Sequence, residues 1–282
     1  MARRPKPARR WWMPLGLSLL LVVTACEQKP KTILAAAEAR WKQGDYLGAV
    51  QAYERLIDDY PKSVYVDDAY FAIGTLEYLY LNDYPKAVEV FRKIVADHPN
   101  SPLGLQAQRT LAEIYEKKYQ DHRRAVAEYQ TLKERTPDRA VAEEVQYRIG
   151  EVYFDQGDFD QARNEWDPLL KQSPNSEWAD NALYRTGSSY FLQGRYSEAL
   201  AVYQEAARRH PNSELLIEIR FWTANSLEEL DRLEEALGEY RSLLDRYPNP
   251  KVIEVKIRSI ESRLKTITAR QPATTSRPSE PE

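Results

Sequence analysis

The chain has 282 residues, one cysteine and a net charge of −3. Five of its 40 basic residues and no acidic residue lie in residues 1–25, which leaves −8 for the chain from Cys26 onward. Nucleic-acid binding needs a basic stripe, so this acidity argues against it. A single cysteine excludes a disulfide framework, and the Ala-, Leu-, Glu- and Arg-rich composition favours helices.

The first 26 residues are predicted to carry a secretory signal. A basic start precedes an apolar run from Trp11 to Val23, and this run is too short for a comfortable transmembrane helix. The residues Val23-Thr24-Ala25-Cys26 resemble the bacterial lipobox. The resemblance implies that Cys26 is acylated, for example with palmitate, and anchors the protein to a membrane. The alternative is an ordinary signal peptide with an incidental cysteine.

Residues 26–32 are predicted to form the lipidated cysteine and a short tether. Six extended residues reach about 20 Å, so the first helix would begin close to the lipid surface. Glu27 follows the cysteine. In enteric bacteria an Asp at that place would favour the inner membrane, so the resemblance implies a lipid-anchored protein of the outer membrane that faces the periplasm.

Residues 33–250 contain six similar units. Prolines recur at steps of 38, 38, 37, 37 and 37 residues, an alanine lies twelve residues before each, and an aromatic residue lies four after each alanine. The prolines are Pro61, Pro99, Pro137, Pro174, Pro211 and Pro248. The alanines are Ala49, Ala87, Ala125, Ala162, Ala199 and Ala236. The aromatic residues are Tyr53, Phe91, Tyr129, Trp166, Tyr203 and Tyr240. Self-similarity at this period is the signature of a solenoid of repeats.

Each unit is predicted to hold two amphipathic helices, a first and a second, that cross closely. A small residue marks the first helix, and the position between the helices holds mostly residues that tolerate a left-handed turn. The small residues are Ala36, Gly74, Ala112, Gly150, Gly187 and Ala224. The turn residues are Gly44, Asn82, Gln120, Gly157, Gly194 and Asp231. The predicted N-caps of the first helices are Ser63, Ser101, Ser176 and Ser213.

This pattern resembles the tetratricopeptide repeat (TPR). The resemblance implies an all-α fold, a right-handed solenoid of six helix-turn-helix repeats. Their predicted bounds are 33–63, 64–101, 102–139, 140–176, 177–213 and 214–250. The small-to-alanine step is 13 in the first three units and 12 in the last three. Three residues beyond the family's 34-residue period fall in the connection between units, where we expect about one more turn at the start of each first helix.

The end of the chain is predicted to close the solenoid. Residues 251–269 carry isoleucine and leucine on one face and basic residues elsewhere, which is typical of the capping helix that an open solenoid end needs. A basic amphipathic helix that lies on a membrane is the alternative. Residues 270–282 are Pro-, Ser- and Thr-rich without apolar content, so we expect them to be disordered.

The sequence gives no pattern of catalytic or metal-binding residues. His98 and His210 share one repeat position, and His122 stands where other units have an aromatic residue. The motifs of zinc proteases, phosphate loops and nucleophile elbows are not found. We therefore predict a non-enzymatic protein without cofactor, metal or small-molecule substrate.

Protein partners are the predicted ligands. In TPR arrays the first helices line a concave face, and residues three before and four after the small residue point into it. The aromatic residues at these positions are Phe71, Tyr78, Tyr147, Phe154, Tyr184, Phe191 and Phe221. Such a trough, with acidic residues nearby, suits a peptide with apolar and basic side chains. The alternative is that these rings are interior packing.

The opening of the predicted mature chain resembles the BamD family, outer-membrane lipoproteins of β-barrel assembly. The likeness is carried by the lipobox cysteine, the short tether, and a helix that ends in Lys42-Gln43-Gly44-Asp45-Tyr46. It implies partners among outer-membrane assembly subunits or other envelope proteins. The regular Pro-Asn-Ser connections favour instead a periplasmic adaptor of the Tol–Pal-associated CpoB type, which coordinates envelope constriction or peptidoglycan synthesis. An accessory lipoprotein of polysaccharide export is a third candidate.

Overall fold

The computed structural model describes the backbone of residues 16–270 and the side chains of residues 28–269. Its regular structure in that part of the chain is entirely helical, which confirms the predicted fold class. The first eight α-helices are α1 Gly16–Lys42, α2 Tyr46–Asp59, α3 Val66–Leu76, α4 Tyr84–Asp97, α5 Pro102–Lys117, α6 His122–Arg135, α7 Arg139–Asp155 and α8 Phe159–Gln172. The remaining five are α9 Ala179–Leu192, α10 Tyr196–Arg209, α11 Leu216–Glu229, α12 Leu233–Leu243 and α13 Pro250–Arg270.

The chain divides into two compact units. Unit 1 ends at Asp121 and contains α1 to α5, and unit 2 begins at His122 and contains α6 to α13. Within each unit, helices that follow one another along the chain pack together. The division falls between the two helices of the third predicted repeat.

The turn between the two helices of each repeat has the conformation expected from its sequence. All six turn residues have positive φ, from 52° at Gln120 to 82° at Gly44. In repeats one, four, five and six, the next amide bonds the carbonyl five residues back, as Asp45 N does to Arg40 O at 3.0 Å. This is the usual bonding of a helix that ends in a left-handed residue.

The small residue of the first helix makes room for the aromatic ring of the second. A Cβ on Gly150 would lie 2.1 Å from Nε1 of Trp166, and one on Gly187 would lie 2.6 Å from the Tyr203 ring. The six repeat alanines and six repeat aromatics are all buried. The predicted close crossing is therefore confirmed in these repeats, and the ring packs on the first helix of its own repeat.

The assignment of Ala36 as the small residue of repeat one is wrong. Ala36 is exposed, whereas Ala37 is fully buried. Ala37 lies seven residues before Gly44 and twelve before Ala49, the spacing of repeats four to six. Adjacent alanines have the same size, so only the direction of the side chain separates them.

The extra residue of repeats two and three is accommodated at the end of the first helix. In repeat two, α3 continues into a π-helical turn, Glu77–Leu81, which holds one more residue per turn. In repeat three, Tyr119 N bonds Ile114 O at 3.1 Å, five residues back. The crossing of the two helices can thus keep its register although the period is longer.

Most of the serines predicted as N-caps have a different role. Ser101 caps α5 and accepts a hydrogen bond from Gly104 N at 2.9 Å. Ser63, Ser176 and Ser213 instead accept one from the amide two residues later, and α3, α9 and α11 begin three residues after each serine. The expected additional turn is therefore present there as a separate turn before the helix.

Helix α1 extends further toward the N-terminus than expected. Residues 26–32, predicted as a tether, lie within α1, and Pro30 is inside the helix. The Cys26 side chain, most of the predicted signal and nearly all of the predicted disordered tail lie outside the described part of the structure. Among residues 16–270, no helix is both long and apolar enough to cross a membrane.

The last helix covers the end of unit 2. Helix α13 packs on α12 through Ile253 and Ile260, which are fully buried. Glu228 of α11 pairs with Lys256 at 2.9 Å and with Arg263 at 3.5 Å. Part of the basic character of α13 therefore serves to hold it against α11.

Two glycine substitutions provide a matched test of the packing. Gly150→Ala should lower the free energy of unfolding by about 1–3 kcal/mol, because its Cβ would collide with Trp166. Gly238→Ala should raise it by up to about 1 kcal/mol, since α12 leaves open space there and alanine favours helix. Denaturant unfolding measures both. An unchanged Gly150→Ala variant would contradict the described crossing.

Candidate partner-binding surface

Tyr147 of α7 lies in an aromatic stack rather than on the open surface. Its ring centroid is 6.2 Å from that of Trp166 and 5.1 Å from that of Trp178, both at 25°. The indole Nε1 of Trp166 donates to the Tyr147 carbonyl at 3.0 Å. Tyr147 is only 6% exposed, and burial raises the pKa of its hydroxyl. This side chain is mainly packing.

A charged pair lies beside that stack. Arg185 Nε of α9 is 3.1 Å from Glu151 Oε1 of α7, and the guanidinium carbon is 5.1 Å from the centroid of the Phe154 ring. Burial raises the pKa of Glu151, and the charge of Arg185 acts in the opposite direction. One arginine thus forms both an ion pair and a cation–π contact between two neighbouring first helices.

Replacement of Arg185 by alanine should destabilise unit 2 by about 1–3 kcal/mol, because Glu151 then loses its counter-charge. The folded-state pKa of Glu151, already raised, rises further, while the unfolded value is unchanged. A raised acid pKa stabilises the fold at low pH and loses that contribution as the pH rises through it. The deficit should therefore be larger near pH 8 than near pH 5, as measured by denaturant unfolding.

The exposed pair of Arg209 and Glu205, at 2.9 Å, provides the control. Arg209→Ala should change stability little, since exposed pairs contribute little. A deficit in Arg185→Ala that did not depend on pH would contradict the role given to Glu151.

Aromatic residues of α9 and α11 continue the pattern. Phe191 lies 4.9 Å from Trp222 and 5.1 Å from Tyr196, measured between ring centroids. Phe221 stacks on Tyr247 at 4.7 Å and 21°. These rings are partly exposed, so part of each faces solvent.

Tyr184 lies on α9 with its ring centroid 6.2 Å from that of Tyr203. It is partly exposed, and burial, followed by the charge of Glu218, raises the pKa of its hydroxyl. Tyr184 therefore combines a packed ring with a polar group near a carboxylate.

Unit 1 contains the other two predicted residues. Phe71 is partly exposed and meets Phe91 edge-on at 5.6 Å. Tyr78 lies in the π-helical turn, is 9% exposed, and has Lys118 Nζ 5.8 Å from its ring centroid. Two of the seven predicted residues, Tyr78 and Tyr147, are thus buried, and five are partly exposed.

We name as the first-helix surface of unit 2 the partly exposed group Glu151, Phe154, Tyr184, Arg185, Phe191, Phe221 and Trp222. Arg185 and Trp222 were missed by the sequence criterion, which considered only positions three before and four after the small residue. Both lie two residues before a small residue, and that position would have revealed them. Aromatic faces with mixed charges suit a polypeptide ligand. Within the part of the chain that the structure describes, no cluster of potential metal ligands occurs.

Comparison with known families identifies the repeats. One profile of the tetratricopeptide repeat matches residues 147–214, and another matches residues 32–63, 68–101 and 218–250. Together they cover more than half of the chain. The chain belongs to the tetratricopeptide-repeat family. TPR proteins are generally non-catalytic scaffolds that bind other proteins, which is consistent with the predicted non-enzymatic role.

Solved TPR structures share the fold. A tetratricopeptide repeat protein from Parabacteroides merdae has 14% sequence identity and a TM-score of 0.55, over 86% of this chain and 88% of that one. PilW, described as a widely conserved type IV pilus biogenesis factor, has 15% identity and a TM-score of 0.50, over 83% and 99%. Such low identities show the fold alone. No curated protein sequence matches the chain.

Proposed function

We propose that this TPR protein is a lipid-anchored scaffold of the bacterial outer membrane that faces the periplasm and binds partners in outer-membrane β-barrel assembly. The observation that carries the proposal is the lipobox-like sequence ending at Cys26, directly before a TPR array. Two or three acyl chains, at about 0.8 kcal/mol per buried CH₂, anchor a protein stably. The array would then be held near the membrane as a binding platform.

The first-helix surface of unit 2 supports the binding role. Its rings are fixed by neighbouring rings, as Phe191 is by Trp222 and Phe221 is by Tyr247. Pre-ordered aromatic side chains lose little entropy when a partner binds, which favours affinity. Assignment to β-barrel assembly rests on the resemblance of the opening of the predicted mature chain to BamD.

An adaptor of the CpoB type is the second candidate function. The connection Pro-Asn-Ser recurs at Pro99, Pro174 and Pro211, which favours that class. Such an adaptor would bind Tol–Pal components or peptidoglycan synthases instead of β-barrel assembly subunits. The two functions therefore predict different partners.

Affinity purification from detergent-extracted membranes distinguishes them. The full chain, tagged at its C-terminus, should recover at least one subunit of the outer-membrane β-barrel assembly machinery, and the Cys26→Ser variant should recover less. Specific recovery of Tol–Pal components or peptidoglycan synthases would replace the first function by the second. Recovery of neither set of proteins from the detergent extract would reject both functions.

A further inference from the structure

Unit 1 contains an open cleft of about 700 Å³ that none of the predicted binding residues lines. Its aromatic walls are Trp41 of α1, Tyr46 of α2 and Tyr80 of the π-helical turn. The Tyr46 and Tyr80 rings are 4.4 Å apart between centroids, and Trp41 meets Tyr80 edge-on at 6.1 Å. Tyr80 is 43% exposed, so the cleft opens to solvent.

Two carboxylates line the same cleft, Glu38 of α1 and Asp68 of α3. Burial, then Asp67 and Glu38, raise the pKa of Asp68, and burial with Glu38 raises the pKa of Tyr53 to about 12. Among the side chains of residues 28–269, the structure pairs no cation with Glu38 or Asp68. Lys42 also lines the cleft, but among the described residues it forms no ion pair with either carboxylate. The cleft therefore offers aromatic faces and two carboxylates that form no direct ion pair among the described side chains.

The repeat register shows what fills the corresponding place in unit 2. Ala37 and Gly150 are equivalent, since each lies twelve residues before its repeat alanine and seven before a left-handed glycine. Residues at equal distances from the small residues are then equivalent. The equivalent pairs are Glu38 and Glu151, Trp41 and Phe154, and Ala72 and Arg185.

In unit 2 the residue equivalent to Ala72 is an arginine, Arg185. Arg185 is paired with Glu151 at 3.1 Å and lies over the Phe154 ring at 5.1 Å. In unit 1 the carboxylate and the ring are kept, as Glu38 and Trp41, but Ala72 supplies no guanidinium. Tryptophan is also the strongest cation–π acceptor of the aromatic residues. The cleft in unit 1 therefore retains the carboxylate and the aromatic ring of this arrangement but not the arginine.

We propose that this cleft binds an arginine side chain of a partner polypeptide, with the guanidinium between Glu38 and the ring of Trp41. Asp68 supplies a second carboxylate, and Tyr46 and Tyr80 close the sides. The inference deepens the proposed interaction function, because it names the chemistry that a partner must present. It rests on that function, but its test needs only the purified chain.

The test is a titration of the full chain in detergent with two synthetic peptides. One is acetyl-Gly-Leu-Arg-Leu-Gly-amide, and the other has citrulline, which has the same shape without the charge, in place of arginine. Binding is followed by NMR through the indole resonance of isotope-labelled Trp41. This resonance is assigned by its absence from the spectrum of Trp41→Phe. The arginine peptide should shift it saturably, and the citrulline peptide should bind about tenfold more weakly or worse. Equal shifts, or no shift of Trp41 with either peptide, would overturn the proposal.

Two variants sharpen the result. Glu38→Gln replaces an exposed residue, so it should leave the fold intact and weaken the arginine peptide by about tenfold. Ala72→Arg should occupy the cleft from within, shift the Trp41 resonance without peptide, and abolish the effect of the peptide. Unchanged affinity in Glu38→Gln would refute the site even if Ala72→Arg did not fold. Neither readout depends on which envelope partner is recovered from membranes.

Discussion

Trp166→Ala is expected to lower the free energy of unfolding by about 3–5 kcal/mol, the usual cost of removing a large aromatic side chain from a core. Trp166 is fully buried between Gly150 and the ring of Tyr147. Its removal would also leave the Tyr147 carbonyl without the indole donor at 3.0 Å. The measurement is denaturant unfolding of the full chain in detergent, with helical content followed by circular dichroism.

The conservative variant separates the two causes. Trp166→Phe keeps most of the apolar volume but loses the hydrogen bond, so its cost should be less than half that of Trp166→Ala. Phenylalanine already occupies this repeat position at Phe91. A Trp166→Ala variant within about 1 kcal/mol of the wild type would mean that this ring does not join the two helices of its repeat.

Cys26→Ser should release the protein from membranes almost completely. The acyl chains implied by the lipobox resemblance are the membrane attachment that we propose, and serine lacks the thiol group that the lipid modification needs. Fractionation of cells into soluble and membrane material, followed by immunodetection, measures the change. Mass spectrometry of the wild-type N-terminus should show an acylated Cys26.

The control for this prediction is a serine substitution that leaves the junction intact, Thr24→Ser. It should fractionate with membranes like the wild type. Persistent membrane association of Cys26→Ser after a high-salt wash would contradict anchoring through Cys26. An unmodified cysteine in the wild type would do the same.

Much of the fold could be predicted because the same residue types recur at the same positions in successive repeats. The left-handed turns at Gly44 and Asn82 follow from residue type and position, and that at Gln120 follows from its repeat position alone; all three residues have positive φ. The burial of Trp166 follows from its place one turn after a repeat alanine. Six repetitions of the same pattern distinguish it from a chance arrangement of residues.

The predictions that were wrong concern positions where the local sequence is compatible with more than one structure. Ala36 and Ala37 are equally small, so only the packed structure selects Ala37. No residue type marks the π-helical turn at Glu77–Leu81, which holds the extra residue of repeat two, or the late start of α3 after Ser63. Intrinsic helix propensity is a poor predictor of structure at such junctions, because tertiary packing can override it.

The candidate surface was harder to predict than the fold. Spacing alone selected Tyr147 and Tyr184 together, yet Tyr147 is 6% exposed and Tyr184 is partly exposed. The difference comes from Trp178, which stacks on Tyr147 from the connection before α9. A contact that depends on such a connection is not encoded in the periodicity of one helix.

Site-specific photo-crosslinking in living cells tests the central claim most directly. A benzophenone amino acid in place of Tyr184 should crosslink the chain to an outer-membrane β-barrel assembly subunit, identified by mass spectrometry. The same group in place of Lys171, an exposed residue on α8, should give little of that product. Equal crosslinking from both positions, or none to an envelope assembly protein from Tyr184, would contradict a scaffold that binds its partners through its first helices.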